Sequence, residues 1–159
     1  MRAFASFENL GGKMNKVESA VSFFNGRFNC CQSVLLAYCE EFGLDRQVAS
    51  KFSTGFGGGM GRMAGVCGAV TGAFMVLGLK YGKMRAEDNK SKEKTYVLVK
   101  RFAGKFEARH DSIICKDILG CDISTPQGLR TAREEALFSK VCPKFVRDAA
   151  EILEEMLKD

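Results

Sequence analysis

Between Arg62 and Lys80 the chain runs for 17 residues, Met63–Leu79, without a charged side chain. Gly55-Phe56-Gly57-Gly58-Gly59-Met60-Gly61 leads into it, five glycines in seven residues. A segment this apolar must be kept from water. It sits at the lower edge of membrane-spanning length. Its four glycines and charged flanks favour a buried core helix over a membrane span, so no membrane association is expected. The rest of the chain must then supply the surfaces that cover it.

Those surfaces read as helices. Val17, Ala20, Val21 and Phe24 recur at three- and four-residue steps, and Asn25-Gly26 ends the pattern. Asn29 is an N-cap for a helix over 30–42 stopped by Gly43, and Asp45 caps a short helix to about residue 52. After the charged stretch Lys83–Lys94, Tyr96, Val99, Phe102, Ala103 and Phe106 restore the helical period. Asp111-Ser112 opens a short helix that Gly120 closes, and Thr125-Pro126 opens another to about Ser139. From Pro143 to Lys158 a broad apolar stripe recurs. No alternating strand pattern occurs. The expected fold is all-α: a single-domain helical bundle of about six to seven helices over 14–159, more than half helical, after a flexible leader 1–13 ending in Gly11-Gly12.

A chain of 159 residues buries about two-thirds of the surface its unfolded form exposes. With 46% hydrophobic residues, it needs neither metal nor disulfide merely to fold. Lys plus Arg exceed Asp plus Glu by 24 − 19 = 5. The basic stretch from Lys80 to Arg109 is interrupted by acids, with six between 85 and 117, so it reads as a solvated face and not as a nucleic-acid site. It suits docking of an acidic redox partner protein. The glycine loop lacks the GxxxxGK[ST] pattern and follows no strand, which argues against a nucleotide site.

The chemistry lies in the cysteines. One histidine, His110, excludes a multi-histidine metal site. Seven cysteines, Cys30, Cys31, Cys39, Cys67, Cys115, Cys121 and Cys142, cannot all pair within the chain. No apolar run of signal-peptide length precedes Glu8, so a cytoplasmic, reducing setting is expected, where cysteines serve metal or redox chemistry. No CxxC pair is present. Four cysteines nonetheless share a position. Cys30 follows the cap Asn29, Cys142 precedes Pro143, Cys115 follows Asp111-Ser112, and Cys67 lies in the opening turns of the apolar helix. Helix N-termini carry unpaired N–H groups and partial positive charge, which favour thiolate. If the starts near Asn29, Met63, Ser112 and Cys142 converge, they form a four-thiolate site, the ligand count of an iron–sulfur cluster or of structural zinc. The sulfurs should then lie within roughly 4–8 Å of one another, a span that Fe–S bonds bridge. Cys31, Cys39 and Cys121 read as small buried hydrophobes, although Cys31 adjoins Cys30 and could replace it after a slight rotation. Gly61, Gly65 and Ala69, with Ala64, Gly68 and Gly72, mark a close contact.

Phe28-Asn29-Cys30-Cys31-Gln32-Ser33-Val34-Leu35, Gly57-Gly58-Gly59-Met60-Gly61 with Cys67-Gly68-Ala69-Val70-Thr71-Gly72-Ala73, Ile114-Cys115-Lys116-Asp117-Ile118-Leu119-Gly120, and Cys142 with Val146, Ala149 and Ala150 form four boxes in order. The chain resembles the C-GCAxxG-C-C family of redox-active proteins over nearly its whole length. The family name writes Gly-Cys-Ala where this chain has Cys67-Gly68-Ala69. The resemblance implies redox activity through Cys30, Cys67, Cys115 and Cys142. A further likeness to the helical domain of split-Soret-type cytochromes implies a 2Fe–2S-type centre. His110 stands where a glycine is expected before the third box, which argues against a family-wide ligand role for it.

Three functions fit these residues. The first is an electron-transfer protein with an iron–sulfur cluster on the four cysteines, its potential tuned by helix-start N–H groups and Gly68. The second is a dithiol/disulfide redox protein or sensor without a cluster, using pairs such as Cys30 and Cys67. The third is a structural zinc site in an interaction module. Enzymatic activity and a homodimer stay open.

Overall fold

The structure is a computed structural model that describes residues 14–158. The expected leader, 1–13, lies outside the described residues. Helix accounts for 74% of the described residues, in line with the expectation of more than half. Eight helices of five or more residues occur among the described residues: α1 Lys16–Asn25, α2 Cys30–Tyr38, α3 Arg46–Ser53, α4 Gly68–Tyr81, α5 Asn89–His110, α6 Cys115–Leu119, α7 Pro126–Glu134 and α8 Cys142–Leu157. A 3-10 turn, Cys39–Phe42, prolongs α2, and a single turn, Leu137–Lys140, precedes α8. The count exceeds expectation by one. Ala136, at φ 55, breaks the segment expected to run unbroken to Ser139.

Side-chain caps fix most of the starts. Asn29 and Gln32 form a capping box at α2, with Gln32 N–H donating to Asn29 and Asn29 N–H to Gln32, each at 3.0 Å. The Asp45 carboxylate accepts from Val48 N–H at α3, and Thr125 Oγ1 from Gly128 N–H at α7, where Pro126 is the first residue. Asn15 and Asp88 cap α1 and α5 in the same way.

Helix α4 is the buried centre, with Gly68–Ala73, Val76 and Leu77 out of solvent. Helix α2 crosses it with backbone contact, because a β-carbon at Gly72 would lie 2.8 Å from the Cys31 carbonyl oxygen. Phe102 and Phe106 of α5 and Val146, Ala149, Ala150 and Leu153 of α8 close the core. Each fully buried leucine, such as Leu35, Leu77 or Leu153, contributes about 1.5–3 kcal/mol. The Tyr38 hydroxyl ties α2 to α8 through the Ala150 carbonyl (3.2 Å) and the Glu154 carboxylate (3.0 Å).

The uncharged run is not one helix. Helix begins at Gly68 and not near Met63, and Met63 is 70% exposed. Gly58, Gly59, Met60, Gly61, Arg62 and Ala64 all take positive φ, so the chain winds through left-handed steps before α4 starts. No helix among the described residues is long and apolar enough to cross a membrane. The basic stretch is partly engaged within the fold. Lys105 pairs with Glu155 at 3.1 Å, Arg109 with Glu151 at 2.7 Å, and Lys80 donates to the Leu157 carbonyl at 2.7 Å.

Candidate functional site: a four-cysteine cavity

The glycine loop, the start of α4 and the start of α6 are joined by one antiparallel pair, Val66 with Ile114. Cys67 N–H donates to the Ile113 carbonyl at 2.8 Å, and Cys115 N–H to the Gly65 carbonyl at 2.6 Å. The second and third cysteine boxes are thereby locked in register by backbone alone. The third helix start differs from expectation for the same reason. Residues 112–114 are drawn into this pairing, so α6 opens at Cys115 and not at Ser112. Ser112 Oγ instead accepts from Ile114 N–H at 3.0 Å and donates to the Asp117 carboxylate at 2.9 Å.

Gly59 supports the pair from beneath. Its φ is +66°, and a β-carbon there would lie 2.6 Å from Gly65 N and 2.7 Å from Cys115 Cβ. Gly59 carbonyl accepts from Gly65 N–H at 2.9 Å. The glycine loop therefore cradles protein backbone.

Cys30 is the first residue of α2, and Cys142 the first of α8, with Pro143 beside it in the opening turn. The α2 cap is anchored from outside: Asn29 Nδ2 donates to the Thr54 carbonyl and Gln32 Nε2 to that of Ser50, both at 2.9 Å. Gly68 lets α2 approach α4, since a β-carbon there would lie 3.0 Å from Cys31 N and 3.1 Å from Cys30 Cβ. Gly68 thus acts through its small size against Cys30.

All four helix-start cysteines line one cavity of about 530 Å³. Cys31, Cys39 and Cys121 do not line it. The floor is formed by the buried residues Cys67, Cys115 and Cys142 with Leu119, Ile123 and Phe145, and the mouth by the exposed Arg27, Thr54, Gly61, Arg62 and Ser139. All seven cysteines are free thiols.

The thiols act on one another. The neighbouring Cys142 thiol, with burial, holds the Cys30 pKa far above the ordinary range. Burial, then Cys30, does the same to Cys67. Burial, then Cys30 and Asp122, raises Cys115 to about 12. Backbone N–H groups do reach these sulfurs, from Ala69 and Val70 to Cys67 and from Gly58 to Cys30, and each lowers the pKa. They do not win. The expectation that helix starts hold thiolates is corrected for these three: burial and neighbouring thiols outweigh the dipole. Cys30 is the hub, coupled to each of the other three.

Cys31 faces the α2–α4 contact, its Sγ 3.8 Å from Met75 Sδ, and burial raises it to about 12. Cys39 is fully buried and Cys121 donates to the Gly128 carbonyl at 3.0 Å. His110 lies behind the cavity wall. Its side chain is 6% exposed, its ring meets Phe145 edge-on at 5.0 Å, and its Nε2 is 2.9 Å from Asp148 Oδ2. Burial outweighs Asp148 and lowers its pKa. Among the described residues, no three of His, Cys, Asp and Glu are gathered closely enough to hold a single metal ion.

Arg27, Arg62 and Phe145 are cavity residues that sequence reasoning missed. The Gly26-Arg27 turn and the Arg that ends the glycine loop were visible as loop charges, but nothing in sequence placed them at one opening.

The family model described as "Putative redox-active protein (C_GCAxxG_C_C)" matches residues 28–156, a span that contains all four cavity cysteines. Comparison with curated proteins and with solved structures gave no match. With cysteine boxes, order and span agreeing, the chain belongs to the C-GCAxxG-C-C family of redox-active proteins.

Proposed function

We propose that the four-cysteine cavity is the redox centre of an electron-transfer protein, and that Cys30, Cys67, Cys115 and Cys142 hold an iron–sulfur cluster in it. One observation carries this reading: free thiols from four separate segments line a single cavity whose floor has no positive side chain. Deprotonating them costs energy because of burial and mutual repulsion, and a bound cationic core offsets both. Thiolates are the usual donors to iron–sulfur clusters, which supply one-electron transfer when bound. The four thiols stand around a cavity and are not gathered about one point, which favours a multinuclear core over the zinc alternative.

The chain's own contributions are local. The amides of Gly58, Ala69 and Val70 donate toward Cys30 and Cys67, which favours the more reduced, more negative state of a centre held there. Leu119, Ile123 and Phe145 keep water from the floor. The reading places the protein in a reducing compartment such as the cytoplasm, with a protein redox partner of acidic surface. The test is iron and acid-labile sulfide per chain, with an absorption spectrum, on protein never exposed to air. Iron and sulfide lost on Cys67→Ser support the reading. Neither element present after anaerobic reconstitution overturns it.

That Cys30 and Cys142 line the same cavity and that Cys142 acts on the Cys30 thiol favours a second reading, a dithiol couple. Exchange with a partner disulfide joins the two sulfurs and passes their two electrons and two protons to the partner, whose disulfide breaks and leaves as two thiols. Mass spectrometry of the oxidised, metal-free protein should then find a Cys30–Cys142 bridge.

A further inference from the structure

The cavity mouth carries a feature that electron transfer alone does not require. Among the described residues, Arg27 and Arg62 are the only charged ones that line the cavity, and no Asp or Glu joins them. Both are exposed, and among the described residues neither has an acidic partner. Both also hold left-handed backbone, φ 75 at Arg27 and φ 65 at Arg62, a region uncommon outside Gly, Asn and Asp. Below the arginines the walls turn apolar, through Phe28, Phe138 and Phe145, down to the thiols. The volume of about 530 Å³ falls within the roughly 300–1,000 Å³ of small-molecule sites.

We infer that this cavity binds a small organic anion, its acid group on Arg27 and Arg62 and its apolar body directed toward the cysteines. Two guanidinium groups at one mouth, with no acid among the described lining residues, attract a carboxylate, sulfonate or phosphate, and the aromatic walls favour one that carries an apolar body. The inference names the class of molecule that the redox site admits and rests on that reading for the site's role, whereas binding itself stands apart from it.

The test uses as-purified protein and two probes of similar shape: 8-anilino-1-naphthalenesulfonate, an aromatic sulfonate, and the uncharged N-phenyl-1-naphthylamine. Fluorescence titration and calorimetry should give one sulfonate bound per chain. In the double variant Arg27→Asn, Arg62→Asn, asparagine tolerates the left-handed backbone and removes the charge. It should weaken the sulfonate at least about tenfold and leave the uncharged probe within about twofold. Wild-type protein that does not bind the sulfonate, variants that bind it unchanged, or variants that lose both probes equally overturn the inference. Wild-type protein stripped of iron by a chelator separates the two proposals, because sulfonate binding should survive in it even as iron and sulfide are lost. Sulfonate bound by wild-type protein that never holds iron or sulfide would sink the cluster reading and leave the anion site standing.

Discussion

Gly59 and Cys115 approach so closely that a β-carbon on Gly59 would stand 2.7 Å from that of Cys115. The same atom would lie 2.6 Å from the Gly65 amide nitrogen, and backbone cannot swing aside as a side chain can. Gly59→Ala should therefore destabilise the protein by roughly 2–4 kcal/mol, read as a lowered urea midpoint, and should expose Cys115 to alkylation. Gly78→Ala is the matched control. Nothing lies within 4 Å of that position and it is inside α4, so alanine there should stabilise by about 0.5–1 kcal/mol.

Single serine variants should sort the cysteines by place. Serine at Cys30, Cys67, Cys115 or Cys142 should cut iron and sulfide retention, read by metal analysis after anaerobic purification. Cys39→Ser should retain both and cost about 1 kcal/mol, because that thiol is buried away from the cavity beside the Leu36 carbonyl. Cys31→Ala should also retain them, since its sulfur is turned toward Met75.

Alkali should unfold the metal-free protein through its buried thiols. Cys31 titrates at about 12 in the folded chain and near 8.5 when unfolded. Above about pH 8.5 the unfolded state sheds its proton first, so stability falls as pH rises toward the folded value. The loss is about 1.4 kcal/mol per pH unit for this one group. Wild type minus Cys31→Ala, compared by urea unfolding from pH 8 to 10.5, should show that slope. Equal slopes would mean the thiol is already ionised in the fold.

Asn29 joins three elements, capping α2, donating to Thr54 and packing on Gly57. Asn29→Ala should cost about 1–2 kcal/mol. It should also release Cys30, so that cofactor retention falls further than in Asp45→Ala, which loses the α3 cap alone. Equal retention in the two variants would separate the cap from the site.

How far the sequence reaches is clear from particular residues. Asn29 before Cys30, and Pro143 after Cys142, are local signals, and they place two of the four cysteines at helix starts. The starts at Met63 and Ser112 were misplaced because both segments are shaped by a partner about 48 positions away in sequence, through the Val66–Ile114 pair. Left-handed steps at Met60, Arg62 and Ala64 leave no mark in residue type. The ionisation state failed on magnitude. A helix terminus is worth about 0.3–1 kcal/mol, whereas burial shifts a pKa by up to about 3–5 units. Burial is not visible in sequence at a polarisable residue that is common both inside proteins and at metal sites.

The Val66–Ile114 pair also sets when the site can exist. Helix α5, 22 residues long or about 33 Å, separates its two partners along the chain. During synthesis the first two cysteine boxes emerge well before the third, and no cavity is complete until α5 has folded back and α6 has met the glycine loop. Local helices form in microseconds, but this closure joins residues about 48 positions apart and comes later. Assembly of the centre is therefore a checkpoint on tertiary folding. A chain with α5 misdocked keeps its helices and lacks the place where its cysteines meet.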